Sequence, residues 1–163
     1  MKRAVCPGSF DPITYGHLDI IERAAQQFDH VVVAVLENRT KSSLFTVQER
    51  ISMITEVVAK FPNVSVDSWS GLLVDYCKSN SIQAIVKGLR AVSDFEYEFQ
   101  LASMNRKMMP DLETLFLTPA EQHSFISANL VREIASLGGD VAQFVPAVVA
   151  EALQTKFKHP ESR

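Results

Sequence analysis

The feature that most constrains this chain is an alternation between short apolar runs rich in β-branched residues and longer segments with helical periodicity. The first run, residues 3–6, stops at Pro7 and Gly8, and apolar residues recur at helical spacing over 16–28. Residues 31–36 are continuously apolar, which is typical of a strand buried on both faces of a sheet. This order of strand and helix predicts a parallel α/β sheet with right-handed crossover connections.

The same alternation continues through the rest of the chain. After a polar loop at 37–45, Thr46 and Glu49 form a capping-box pattern that opens a helix. The apolar positions of that helix predict an inner face made of Val47, Ile51, Ile54 and Val58. We expect the remaining strands at 64–66, 84–87 and 115–117, and the remaining helices at 72–78, 91–109, 127–137 and from 146 onward. The predicted fold class is α/β, a Rossmann-like five-stranded parallel sheet with helices on both faces. We expect one domain over residues 1–163, with a frayed tail from about residue 158.

Composition and charge exclude several classes of protein. The formal net charge is −3, from 19 acidic and 16 basic residues, whereas a nucleic-acid-binding domain would need a basic excess. The chain shows neither a signal-peptide core nor an apolar run long enough to span a membrane. Cys6 and Cys77 fit no disulfide framework, and the four histidines lack metal-ligand spacing. We therefore expect a cytoplasmic protein with reduced thiols and no metal bound by its own side chains.

Ligands of parallel α/β sheets bind beyond the carboxyl ends of the strands, so the loop that follows the first strand is informative. In residues 7–17, Gly8 permits a close turn, and Ser9 offers a hydroxyl and an amide beside a phosphate. Thr14-Tyr15-Gly16-His17 places a histidine in the first turn of a helix, where the helix dipole favours an anion. The loop lacks the Gly-Lys-Ser/Thr ending of a P-loop. Taken alone, His17 would be interpreted as a surface histidine.

A glycine-containing turn followed by T-x-G-H resembles the signature of the nucleotidylyltransferase superfamily. Further segments extend the resemblance to one family, phosphopantetheine adenylyltransferase, in register from about residue 4 to 157. The most specific is the string G-L-R-A-V-S-D-F-E-Y-E at 88–98. Others lie at 45–46, 48–50, 71–74, 104–106, 124–127 and 139–141.

The resemblance implies reversible transfer of an adenylyl group from ATP to 4′-phosphopantetheine, giving dephospho-coenzyme A and pyrophosphate. It implies Mg²⁺ as the cofactor, carried by ATP, and a homohexamer. His17 would be the transition-state stabiliser, acting with Lys41 and Arg90. The implied ATP-binding residues are Ser9, Phe10, His17, Gly88, Leu89, Arg90, Glu98, His123, Ser124, Phe125, Ile126, Ser127, Ala128 and Asn129. The implied acceptor-binding residues are Ser9, Lys41, Leu73 and Lys87. Whether coenzyme A inhibits the enzyme stays open.

Simpler interpretations stand beside these roles. Lys41 is, on its own, a solvated lysine, Ser127 is a helix N-cap, and Glu98 is either an exposed charge or a contact to the ATP sugar. The helix at 91–109 is apolar on several sides, with Phe95, Tyr97, Phe99, Met104, Met108 and Met109, and could contribute to a subunit interface.

The chain also departs from common members of the family. It has Lys87 where arginine is frequent, Ala128 and Asn129 where hydroxyl side chains are frequent, and Cys6 where some relatives have an aromatic residue.

Two other functions compete with this one. A related transferase would use nicotinamide mononucleotide or a cytidine nucleotide, although the chain lacks the R-T-x-G-I-S-T segment typical of cytidylyltransferases. A non-catalytic nucleotide sensor would keep the fold, but it would have no need to retain His17.

Overall fold

The structure is a computed structural model that describes residues 1–38, 40, 42–90 and 92–158. Its five strands are β1 (Arg3–Gly8), β2 (His30–Leu36), β3 (Val64–Trp69), β4 (Ala84–Gly88) and β5 (Glu113–Leu117). They form one parallel sheet in the order β3-β2-β1-β4-β5. The chain builds outward from β1 to β3 and then returns to place β4 on the other side of β1. The junction of β1 and β4 is therefore the point where a parallel α/β sheet opens a crevice for ligands.

Helices cover both faces of this sheet, which confirms the predicted fold class. The helices are α1 (Tyr15–Gln27), α2 (Val47–Val58), α3 (Leu73–Ser79), α4 (Val92–Met108), α5 (Ala128–Ser136) and α6 (Ala147–Lys156). The larger core contains residues of α1, α2, α5 and α6, while α3 and the residue after α4, Met109, pack in the smaller core. The sequence did not predict the short 3₁₀ helix Glu121–His123, which is a single turn too brief to show periodicity.

Strand β2, which lies between β3 and β1, shows why the two cores are separate. Its residues 31–35 are at most 4% exposed, as the continuous apolar run predicted. Val33 and Val35 face the larger core, whereas Val32 and Ala34 face the smaller one, because successive side chains of a strand point to opposite faces. Burial of a valine side chain contributes about 1.5–3 kcal/mol. This strand therefore anchors helices on both sides of the sheet.

The capping box at the start of α2 is confirmed. The Glu49 amide donates to Thr46 Oγ1 at 3.1 Å, and the Thr46 amide donates to Glu49 Oε2 at 2.8 Å. Ser127 is likewise confirmed as the N-cap of α5, where its Oγ accepts the Leu130 amide at 3.1 Å. Both helix starts could be predicted from the sequence because a cap depends on residues only three positions apart.

The predicted inner face of α2 is confirmed, since Ile54 and Val58 are buried and Val47 and Ile51 pack, partly buried, against the larger core. The sequence did not predict that Arg50 of the same helix is also buried, at 4% exposure. The Arg50 guanidinium is accommodated because backbone carbonyls of neighbouring loops accept its hydrogen bonds. An apolar pattern cannot predict a buried cation whose partners include a carbonyl as distant in the sequence as that of Ser9.

Element boundaries differ from the predictions by one to three residues. Helix α1 begins at Tyr15 and ends at Gln27, and the loop predicted as polar ends in Phe45, which is buried in the larger core. In the described residues no helix combines the length and the apolar character needed to cross a bilayer. The predicted fraying concerns a tail of which residues 159–163 lie outside the described residues.

Candidate active site

A pocket of about 270 Å³ opens at the carboxyl ends of β1 and β4. Its walls come from these two strands, from α1, from α4 and from the start of α5. The residues that line it are Cys6, Pro7, Gly8, Phe10, Thr14, Gly16, His17, Ile20, Ile21, Val86, Lys87, Gly88, Arg90, Glu98, Pro119, Ile126 and Ala128. The pocket thus lies at the crevice that the strand order predicts.

Both strands that form the crevice end in a glycine, and a Cβ at either position would be crowded by a neighbouring side chain. A Cβ on Gly88 would lie 3.0 Å from Cγ1 of Ile20 in α1, and one on Gly8 would lie 3.1 Å from the Phe10 ring. The sequence assigned Gly8 to a close turn, but the left-handed backbone belongs to Phe10, with φ of 48°. Gly8 instead makes space for an aromatic ring.

His17 occupies the third position of α1, where it completes a capping box with Thr14. The Thr14 amide donates to His17 Nδ1 at 3.0 Å, so Nδ1 acts as an acceptor and carries no proton. The proton of the neutral ring is therefore on Nε2. The Phe10 ring lies edge-on to the imidazole, with 5.0 Å between ring centroids. The cap fixes the tautomer of the imidazole, and both neighbours fix its orientation.

The sequence does not specify the charge of His17. Burial and, to a smaller extent, the nearby positive charge of Arg90 together lower the pKa of His17 to about 4. The side chain is thus neutral near pH 7. A neutral imidazole with its proton on Nε2 can still donate one hydrogen bond to a phosphoryl oxygen.

Two cations stand beside His17 in the pocket. Lys87 Nζ lies 2.7 Å from Glu98 Oε2, and both side chains are largely shielded from solvent. Arg90 Nη1 donates to the carbonyl of Ile126 at 2.6 Å, which fastens the loop after β4 to the start of α5. Glu98 thus supplies an anionic partner for a lysine that lies at the end of a buried strand.

The structure brings together about half of the site residues expected from the sequence. Those that line the pocket are Phe10, His17, Lys87, Gly88, Arg90, Glu98, Ile126 and Ala128. Those outside its lining are Ser9, Leu73, Leu89, His123, Ser124, Phe125, Ser127 and Asn129. Lys41 lies outside the described residues. The binding roles of all these residues stay predictions.

Several residues outside the lining have structural partners instead. The Leu89 amide donates to the Leu117 carbonyl at 3.0 Å, and Leu73 packs against the smaller core. The Ser9 carbonyl accepts a hydrogen bond from Arg50 at 2.7 Å. These contacts fix the backbone of the loops that surround the pocket.

The segment before α5 forms the far wall. His123 stacks on Tyr15 with 6.1 Å between ring centroids, and Ser124 Oγ donates to the Glu121 carbonyl at 2.9 Å. The Phe125 ring is 63% exposed, and Asn129 Oδ1 accepts from Arg132. In this part of the chain, Pro119, Ile126 and the first residue of α5, Ala128, line the pocket.

Sequence reasoning did not assign site roles to Asp11, Thr14, Arg50 or Arg132. Thr14 was identifiable, because Thr14-x-x-His17 is a capping pattern with histidine in place of the usual Glu or Gln. Asp11 precedes Pro12, and from the sequence that pair indicates only a turn. Arg50 and Arg132 donate to backbone carbonyls that are far away in the sequence, those of Ser9 and Asp11 respectively. No local sequence pattern predicts such contacts.

Neither cysteine is suited to act as a thiolate. Both are buried and reduced, and burial raises the pKa of Cys6 to about 12 and that of Cys77 to about 11. A thiol with such a pKa is a poor nucleophile near neutral pH. Within the part of the chain that the structure describes, no group of three or more His, Cys, Asp or Glu side chains is arranged to hold a metal ion.

Solved structures share this architecture. A protein described as a nicotinate-nucleotide adenylyltransferase from Vibrio parahaemolyticus superposes with a TM-score of 0.69 and 19% identity, covering 94% of this chain and 99% of its own. A bifunctional NMN adenylyltransferase/ADP ribose pyrophosphatase from Francisella tularensis gives a TM-score of 0.73 and 16% identity, over 97% of this chain. This chain spans only 50% of that two-function protein. The latter has also been solved with AMP and a manganese ion, at a TM-score of 0.69.

The family model described as cytidylyltransferase-like matches residues 5–134, which include β1 to β5, the T-x-G-H turn and the start of α5. That range covers most of the chain and all of the described pocket lining. It agrees with the nucleotidylyltransferase superfamily that the first loop indicated. The chain belongs to the cytidylyltransferase-like family.

Proposed function

We propose that this protein transfers the adenylyl group of ATP to the phosphate of 4′-phosphopantetheine, giving dephospho-coenzyme A and pyrophosphate. The observation that carries the proposal is a single pocket in which the neutral His17 stands with Lys87 and Arg90. The family supports nucleotidyl transfer as the class of reaction. The choice of acceptor depends on the 88–98 string and the other sequence segments that resemble phosphopantetheine adenylyltransferase.

The reaction requires alignment and charge stabilisation more than proton transfer. A phosphate oxygen of the acceptor attacks the α-phosphorus of ATP, a new P–O bond forms, and the bond to the β-phosphate oxygen breaks as pyrophosphate leaves. The attacking oxygen is already anionic, so no general base is needed. His17 Nε2–H would donate to a non-bridging α-phosphate oxygen, where charge builds in the transition state.

The cations divide between the two substrates. Lys87, with Lys41, would hold the acceptor phosphate, and Arg90 with the amides at the start of α5 would hold the departing pyrophosphate. The Lys87–Glu98 pair supports this division, because an incoming phosphate can take the place of the carboxylate on Lys87. Glu98 would then be available to the ATP sugar.

ATP would enter as its Mg²⁺ complex. The described residues offer no cluster of ligands for a resident ion, so the triphosphate oxygens would hold it. Bound there, Mg²⁺ would supply charge neutralisation on the phosphates. His17, Lys87 and Arg90 supply the positive groups of the protein itself.

Pyrophosphate release on mixing the protein with ATP, Mg²⁺ and 4′-phosphopantetheine tests the proposal. Pantetheine, which lacks the phosphate, is the matched control, and CTP in place of ATP tests the nucleotide. We expect pyrophosphate only with ATP and a phosphorylated acceptor. Binding of ATP without turnover of any acceptor would instead support a nucleotide sensor.

A second candidate is adenylyl transfer to nicotinate or nicotinamide mononucleotide. It is favoured by the fold shared with the Vibrio and Francisella proteins, which carry those activities in their descriptions. The same assay with these two mononucleotides decides between the candidates. Faster turnover of either one than of 4′-phosphopantetheine would reassign the acceptor.

We also propose that the protein self-associates, in line with the hexamer that the sequence resemblance implies. Helix α4 supports this, since Phe95, Tyr97, Phe99, Met104 and Met108 are each at least 45% exposed. Such an apolar patch is unusual on a monomer surface. Analytical ultracentrifugation measures the assembly directly.

A further inference from the structure

Asp11 lies beside the pocket but is not part of its lining, and its carboxylate binds a different loop. Its Oδ1 accepts the amide of Phe45 and its Oδ2 accepts the amide of Leu44, both at 2.9 Å. The residue is only 7% exposed. A buried carboxylate needs such partners, and two consecutive amides directed at its two oxygens orient it firmly.

Arg132 is a second contact of Asp11, from a different part of the fold. This arginine belongs to α5, and its Nη1 donates to the Asp11 carbonyl and lies 3.9 Å from Asp11 Oδ2. Its other nitrogen, Nη2, donates to Asn129 Oδ1 in the first turn of α5. The guanidinium therefore connects the loop after β1 with the helix whose start faces the pocket.

Through these contacts Asp11 connects the loop proposed to bind the acceptor with the helix start proposed to bind ATP. Leu44 and Phe45 end the 37–45 loop, which contains Lys41 three positions before Leu44. Helix α5 begins at the wall where Ile126 and Ala128 line the pocket. Both segments are thus attached to Asp11, the 37–45 loop through the amides of Leu44 and Phe45 and α5 through Arg132.

Arg50 is a second arginine that holds the loop after β1, but it is less suited to substitution than Arg132. It also joins the loop after β1 to Phe45, through the carbonyls of Ser9 at 2.7 Å and Phe45 at 3.2 Å. Arg50 is buried within α2, however, so its replacement would disturb the core. The Arg132 side chain is 28% exposed, so it can be altered with less damage to folding.

We propose that Asp11 is a positioning residue for the acceptor side of the site and that Arg132 holds Asp11 in place. Asp11 fixes Leu44 and Phe45, the last residues of the 37–45 loop, relative to the start of α5. This inference rests on the proposed function for its chemistry, while the contacts themselves are independent of which acceptor is used.

The test compares Asp11→Asn, Arg132→Met and Arg132→Lys with the wild-type protein. Asp29→Asn is the matched control, since Asp29 also accepts a backbone amide, that of Lys2 at 2.6 Å, but at the opposite edge of the sheet. Kinetics use whichever acceptor the wild type adenylylates. We expect Asp11→Asn to lower kcat/KM for that acceptor by about 10–100-fold, as hydrogen bonds to a charged group are lost. The Kd of a non-reactive ATP analogue with a methylene bridge between its α- and β-phosphates should change by less than about 3-fold. Arg132→Met should show the same pattern more weakly, and Arg132→Lys should recover part of the loss.

Two further readouts separate positioning from general damage. Amide hydrogen exchange without substrates should accelerate at Leu44 and Phe45 in Asp11→Asn and Arg132→Met, but not in β2. The kcat/KM of the double variant Asp11→Asn/Lys41→Ala should be no lower than that of the less active single variant, since both substitutions would remove the same function of the loop. Equal losses for acceptor and ATP analogue, unchanged exchange at Leu44 and Phe45, or multiplicative effects with Lys41→Ala would each overturn the inference. A wild-type protein that turns over no acceptor would refute the proposed function instead, and the exchange data would still decide whether Asp11 holds the loop.

Discussion

Helices α1 and α4 both contribute to the pocket, yet they are held to the sheet in different ways. Four side chains of α1 are buried, and its first turn is closed by the Thr14–His17 capping box. In α4, among residues 94–108, only Asn105 is buried. Its attachment includes the Phe95–Phe116 contact and the Lys87–Glu98 ion pair. The fixed helix carries the group proposed to act on the transition state, and the exposed helix carries a carboxylate that can change partners.

The largest expected effect concerns the fixed helix. We expect His17→Gln to lower kcat by about 10²–10³-fold, the range for loss of one transition-state donor. Glutamine at this position preserves a capping box with Thr14, so α1 should stay intact. Steady-state kinetics and circular dichroism check the two halves of this prediction.

The control for His17 is His30→Gln. His30 contacts Ser65 at the amino end of β2, on the edge of the sheet away from the pocket. Its replacement should leave kcat unchanged. A His17→Gln variant as active as the wild type would remove His17 from the chemistry and with it the contrast between the two helices.

The pH dependence of stability gives the next largest effect. Because burial holds the pKa of His17 near 4 in the folded state, the unfolded chain, with a pKa near 6.5, binds a proton that the folded protein excludes between these values. The wild type should therefore lose stability relative to His17→Gln as the pH falls below 6.5, by up to about 2 kcal/mol at pH 5. Urea unfolding of both proteins between pH 7.5 and pH 5 measures this difference. A difference in the free energy of unfolding that stays constant over this pH range would show that folding does not lower the pKa of His17.

A smaller effect is expected from the ion pair that α4 makes. Glu98→Gln removes the negative charge beside Lys87, so the KM for the acceptor should fall and the KM for ATP should rise, each by about 3–10-fold, as for the loss of a partly shielded pair. Glu96→Gln, two residues earlier on an exposed position, is the control and should change neither constant. A rise in both KM values would indicate that Glu98 only orients Lys87.

The smallest effect on the free energy of unfolding should come from the exposed face of α4. Met104→Glu places a charge on a side chain that is 65% exposed, so stability of the isolated chain should change by less than about 0.5 kcal/mol. Self-association should nevertheless weaken, which sedimentation velocity would reveal. Leu137→Glu, at an exposed position after α5, is the control. Equal assembly of Met104→Glu and the wild type would place the subunit interface elsewhere.

Features that depend on neighbours in the sequence were predictable. The continuous run in β2 and the caps at Thr46 and Ser127 were identified correctly, because strand burial and helix capping leave local patterns. The placement of His17 in the first turn of a helix was likewise predicted from a four-residue motif. The charge state of His17 was not, because that depends on burial and on Arg90, seventy-three positions away in the chain.

The sequence by itself determined the order of strands and helices and the family motif in the first loop. Only the tertiary structure decided that Lys87 pairs with Glu98, that Arg50 is buried among carbonyls, and that Asp11 joins the 37–45 loop to α5. The physical reason is the distance along the chain over which each kind of interaction acts. Periodicity and capping act within one helical turn or one strand, whereas buried charges are satisfied by whichever distant polar groups the fold brings within hydrogen-bond distance.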